Sequence, residues 1–180
     1  MSVVHRLRRR LADQAGYTMM ELLIVLAILG TVTGAITTLF VQASNAEFDM
    51  NRRFQAQQSA RVAIDKMRRE IHCSSGITPT GVSSSITVTL PAQCPSAGGA
   101  QTNVTYDMNQ VVAGQRYQLR RNNVVLADFS TTQNAFNYTA PVTGVSLGKL
   151  TVTLPINTKP NDLGKQWKLV ADMVLRNTTR

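Results

Sequence analysis

Residues that carry chemistry are scarce in this chain. Of its 180 residues, two are histidine and two are cysteine. His5 lies near the N-terminus and His72 precedes Cys73, so the β-like runs of the C-terminal part contain no histidine. The carboxylates of that part are Asp107, Asp128, Asp162 and Asp172, scattered and unpaired by sequence. No Gly-rich phosphate loop, zinc-ligand spacing or nucleophile elbow occurs. These absences argue against an enzyme, a metal centre and a bound cofactor. Asn161-Asp162-Leu163-Gly164 offers one carboxylate, whereas a dedicated calcium site takes about six to eight oxygen ligands. A plain turn is expected there.

Helix breakers are missing from a long stretch. No proline occurs between Tyr17 and Thr78, and from Gln42 to Cys73 there is no glycine either. Gly30 and Gly34 are the weak points, each costing about 1 kcal/mol relative to Ala. Charge is missing too. Gly16 to Val41 contains Glu21 alone, and Leu22 to Val41 has no ionisable group. The latter run meets the length of about 20 apolar residues that one helix needs to cross a bilayer. A carboxylate at its head would cost about 2.5–3.5 kcal/mol near a membrane centre and less toward the interface. The basic cluster His5, Arg6, Arg8, Arg9 and Arg10 should stay cytoplasmic, which places everything after Val41 outside. A secretory signal peptide would have a shorter apolar core and a cut near Ala46. A twin-arginine signal at Arg8-Arg9-Arg10 has nothing around it in support.

The helix should continue past the membrane. Phe48, Ala56, Ala60, Ala63, Ile64, Met67 and Ile71 form one apolar stripe, mostly at three- and four-residue steps. Asp49–Arg53, Asp65–Arg69 and Lys66–Glu70 read as i,i+4 charge pairs. Gly76 is expected near the C′ position of the helix end. Tyr17 to Cys73 as one helix would be about 85 Å long. After Gly76 the periodicity becomes two. Ile86–Leu90, Val104–Met108, Arg116–Arg120, Val124–Phe129, Phe136–Tyr138 and Leu150–Leu154 read as strands. Gln166–Leu175 is ambiguous between strand and short helix, and the alternation of Trp167, Leu169, Ala171 and Met173 favours strand. Arg121-Asn122-Asn123 is a hairpin-turn signal. Ala92 to Thr102 reads as a loop, and Trp167 as a core residue. The fold class expected is α+β: a long N-terminal helix, membrane-spanning then amphipathic, packed on a C-terminal antiparallel sheet.

Gly16-Tyr17-Thr18-Met19-Met20-Glu21-Leu22-Leu23, behind a short basic leader, resembles the class III signal of type IV pilins and pseudopilins. The resemblance covers Arg6 to about Val41. It implies cleavage after Gly16 by a prepilin peptidase, methylation of the new amine on Tyr17, and a pairing role for Glu21 in assembly. Gly30 falls where the family often has a glycine. Two departures stand out: Tyr17 replaces the commoner Phe, and the helix-kinking proline of many major pilins is absent. The segment Gln57 to Ile71 resembles the upper helix of J-type minor pseudopilins and W-type minor pilins. The resemblance therefore implies a leader over 1–16, a transmembrane or filament-core helix over 17–41, an amphipathic upper helix over 42–75 and a β-rich head over 76–180. It also implies a precursor in the inner membrane, with other pilin-like subunits and prepilin peptidase as partners.

An exported head makes a Cys73–Cys94 disulfide the leading reading, with two free thiols as the alternative. The bridge would tie the Ala92–Thr102 loop to the helix end. The net charge of +9 falls to +6 once Arg6, Arg8, Arg9, Arg10 and Asp13 are removed. A basic surface can attract nucleic acid or simply confer solubility. Arg116, Arg120 and Arg121 near Tyr117, and Lys165, Lys168, Arg176 and Arg180, are the candidate DNA-backbone contacts, with a solvated face as the competing reading. The functions in view are a structural minor subunit, a DNA-uptake or adhesive tip subunit, and an anchored exported domain that never assembles.

Overall fold

The structure, a computed structural model, describes residues 17–159, 164 and 166–176. The expected leader with Gly16, the turn at 161–163, and Lys165 and Arg180 lie outside the described residues. The chain divides into two compact units, Met1–Phe48 and Asp49–Arg180. Helix α1, Met19–Cys73, contributes to both.

In the first unit α1 is apolar on every side, and its large side chains from Met19 to Val41 are exposed. Its most apolar window has a mean hydropathy of 2.3, long and apolar enough by composition to cross a membrane. Three of its threonines bond back to the helix. Thr31, Thr37 and Thr38 donate their hydroxyls to the carbonyls of Ile28, Thr33 and Ala35. Each polar group is thereby satisfied inside the helix and asks nothing of the surroundings.

In the second unit α1 is amphipathic. Ala56, Ala60, Ala63, Ile64, Met67 and Ile71 are buried, as the stripe predicts. Phe48 departs from the stripe and is 68% exposed. It lies about a quarter-turn off the axis of the others at 100° per residue. The helix ends without its expected glycine: Ser74 donates both its backbone N–H (3.2 Å) and its hydroxyl (2.8 Å) to the Ile71 carbonyl. Gly76 instead opens the first strand.

Among the described residues nine strands follow: β1 Gly76–Thr78, β2 Gly81–Ser83, β3 Ser85–Leu90, β4 Thr102–Val112, β5 Arg116–Arg121, β6 Val124–Ser130, β7 Phe136–Thr139, β8 Lys149–Ile156 and β9 Trp167–Val174. All pairings are antiparallel, in the order β1-β3-β4-β5-β6-β8-β7-β2, with β9 also on β8. The expected strands are present, the last as β9 and β4 longer than its apolar core. The two three-residue strands β1 and β2 carry no alternation long enough to read. The β5–β6 hairpin turns at Asn122 and Asn123, with φ of 45° and 68°. Two positive φ values define the turn whose twist matches the strands, and asparagine tolerates them. Asn122 also accepts the Thr105 N–H on its side-chain oxygen at 2.8 Å, locking the turn to β4.

The core lies between the upper part of α1 and one face of the sheet. Ile86, Val88 and Leu90 from β3, Val104 and Tyr106 from β4, and Leu150, Val152 and Leu154 from β8 are its centre. Alternation along each strand delivers these side chains to one face. Trp167 is not central. It is half-buried at the rim of the core, with the Arg61 guanidinium 5.6 Å from its ring centroid.

Candidate functional site

At the start of α1, Thr18 is the cap. Its hydroxyl oxygen accepts the Glu21 N–H at 3.2 Å, and its carbonyl accepts the Leu22 N–H at 3.1 Å. The first bond satisfies a donor that a helix start otherwise leaves open, and the second is the first regular bond of the helix. Glu21 falls at the third helical position, where the positive end of the helix dipole favours a carboxylate by about 0.3–1 kcal/mol. Thr18-Met19-Met20-Glu21 therefore has capping-box spacing, a signal in the sequence that the membrane argument passes over. Tyr17 and Glu21 are both exposed, so the pair is open to a neighbour.

At the other end of α1, Cys73 and Cys94 form a disulfide with a Cα–Cα distance of 5.8 Å. It ties the last helical residue to the segment after β3, the pairing that the sequence favoured over two free thiols. Closing a loop of 21 residues stabilises by about 3 kcal/mol in the chain-entropy model. His72 adds a second tie, its Nδ1 lying 2.8 Å from the Val174 carbonyl of β9.

Several charges of the second unit are paired within the chain. Arg116 donates to Asp128 through Nε at 2.8 Å and also pairs through Nη2, while its guanidinium sits 4.2 Å from the Phe129 ring centroid. Gln118 and the Phe129 N–H complete the shell of Asp128, at 3.0 and 2.6 Å. Burial alone would raise the Asp128 pKa. The bonds from Arg116, Gln118 and Phe129 outweigh burial and hold the carboxyl below the ordinary aspartate range. Arg120 pairs with Asp107 at 2.5 and 3.0 Å, directly across the β4–β5 ladder. Arg116, Arg120 and Arg121, the candidate contacts near Tyr117, are thus each bound to a carboxylate of the chain, Arg121 to Glu70.

That third pair was not legible as such. Glu70 is 2% exposed and lies on the buried face of α1. Arg121 reaches it with Nε at 3.1 Å to each oxygen and Nη2 at 3.0 Å, and the Tyr106 hydroxyl donates to it at 2.6 Å. Tyr106 and Arg121 are cross-strand neighbours, so one register places both donors under one carboxylate. Burial first, then the Glu70 carboxylate, push the Tyr106 pKa far above its usual value and keep the phenol protonated. The expected Lys66–Glu70 pair gives way because Glu70 points into the head. Its signal was available: Glu70 is three residues beyond Met67, on the stripe. The expected Asp65–Arg69 pair is replaced in part. Asp65 holds Arg68 at 3.1 Å, and Arg69 donates to the Asp65 carbonyl. Asp49 pairs with Lys159 of the head.

None of these constellations has the nucleophile–base or ligand geometry of a reaction centre. Among the described residues no group of His, Cys, Asp and Glu is placed to hold a metal ion. The ion pairs and the disulfide tie the elements of the second unit to one another. No curated protein and no solved structure matches the chain. Residues 11–37, however, match the model of the prokaryotic N-terminal methylation motif. The N-terminus is therefore a class III signal followed by an apolar helix, and it indicates a pilin-like protein that prepilin peptidase processes.

Proposed function

We propose that the chain is a minor structural subunit of a type IV pilus-like or type II secretion-like filament, similar to J-type pseudopilins or W-type minor pilins. It is made as a single-pass inner-membrane precursor, with its head outside. Prepilin peptidase cuts after Gly16 and methylates the Tyr17 amine. The mature helix then leaves lipid and bundles with those of neighbouring pilin-like subunits, the heads facing outward. The observation that carries this reading is the coincidence of the methylation motif with a helix apolar on all sides from Met19 to Val41.

Charge accounts for register in such a bundle. Cleavage creates a cationic amine on Tyr17, one residue before the Thr18 cap. An isolated charge in an apolar bundle is costly, so the favoured arrangement brings a carboxylate to it. Glu21 is the one carboxylate in the apolar half of α1. Glu21→Ala should therefore enter the membrane at least as well as wild type but be recovered poorly in sheared filaments. Normal incorporation of that variant would refute the pairing.

A further inference from the structure

An open cavity of about 480 Å³ lies beside the helix end, between α1 and the segment that the disulfide holds against it. Lys66, Arg69 and Glu70 of α1 line it, together with the Cys73–Cys94 bridge and with Pro95 and Ser96 of the segment that follows. The charges around it do not compensate these two cations. Glu70 is committed to Arg121 and Tyr106, and Asp65 to Arg68. Arg69 bonds through Nε to a backbone carbonyl, and its charge meets no carboxylate among the described residues. Lys66 stands apart from the other described lysines. Lys149, Lys159 and Lys168 are exposed, whereas Lys66 is half-buried and has no ion-pair partner among the described residues. Two like charges three residues apart on a helix repel one another. A half-buried, uncompensated ammonium next to a guanidinium is an arrangement that an anion would complete.

We propose that Lys66 and Arg69 form a docking site for an acidic side chain of a neighbouring filament subunit; the inference rests on the filament reading above. The apolar part of the lining selects the ligand class. A disulfide and a proline ring are apolar, so the site matches a carboxylate carried on a methylene stem, as in aspartate or glutamate. A free phosphate has charge but nothing to set against those apolar groups. The Ser96 hydroxyl is exposed at the rim and can donate to the second carboxylate oxygen. The disulfide fixes this part of the lining to the helix end, which pre-organises the site.

The test is zero-length carbodiimide coupling on sheared filaments containing the full mature chain, followed by peptide mass spectrometry. The expected product is an amide between Lys66 and an Asp or Glu of another subunit, absent from detergent-extracted single subunits. In parallel, the Lys66→Glu/Arg69→Glu double variant should be recovered in filaments at least about tenfold less than wild type, the scale of one ion pair across an interface. Its membrane level and disulfide should be unchanged, and Lys66→Arg should incorporate normally. Wild-type incorporation with no Lys66 cross-link, or equal recovery of the double variant, overturns the docking site and leaves the filament reading intact. Wild-type chain absent from filaments removes both.

Discussion

Replacing Arg121 by methionine should be the most destabilising single change in the head's polar network. The Glu70 side chain is 1% exposed and that of Arg121 20%, so the two ends of the pair differ in access to water. Arg121→Met removes the cation and leaves a carboxylate deep under α1 with the Tyr106 hydroxyl as its remaining donor. Stranding one partner of a buried ion pair costs about 3–5 kcal/mol. Against a typical total of about 5–15 kcal/mol, that is a large share. Replacing the whole cluster acts differently. Glu70→Met, Tyr106→Phe and Arg121→Met together remove both charges and the buried hydroxyl, and should recover most of the loss. Trp167 is the sole tryptophan of the chain and is half-buried at the core's rim, so its fluorescence reports unfolding of the head in urea. The reasoning fails if Arg121→Met unfolds within about 1 kcal/mol of wild type, or if the triple variant is less stable than the single one.

Two further changes probe the same unit. Cys94→Ser should lower stability by about 2–5 kcal/mol in urea unfolding, with a steeper slope as the unlinked unfolded chain expands; unchanged stability and slope would mean the bridge constrains nothing. Asp128 contributes a pH dependence whose sign follows from its depressed pKa. Its contribution is fully present above the unfolded value near 3.8 and fades as pH falls through the lower folded value. Asp128→Asn should therefore flatten the acid-side loss of stability below about pH 4, and an unaltered acid limb would show that another carboxylate controls it.

What could be read in advance divides along physical lines. The helix was legible because nothing between Tyr17 and Cys73 breaks it, and the longer strands because alternation over five or more residues has one explanation. The disulfide followed from the number of cysteines and their expected compartment. Local signals misled where tertiary contacts outbid them. Gly76 looked like a helix stop, but Ser74 closes α1 with two bonds to Ile71, and the glycine is free to begin β1. Lys66–Glu70 had ideal spacing, yet Glu70 sits on the buried face and takes partners 36 and 51 residues away. The arginine cluster near Tyr117 looked like a basic patch because the sequence conceals register. Asp107 is opposite Arg120 only once β4 and β5 pair. Long-range pairing of this kind is set by strand order, which alternation does not encode.

The intact mass of the protein purified from a strain containing prepilin peptidase tests the central claim most directly. The account predicts a chain that begins at Tyr17 and carries one methyl group on its amine, and a Gly16 variant with a bulky side chain should keep the whole leader. A wild-type mass that retains residues 1–16, or one that places the start near Ala46, would contradict it.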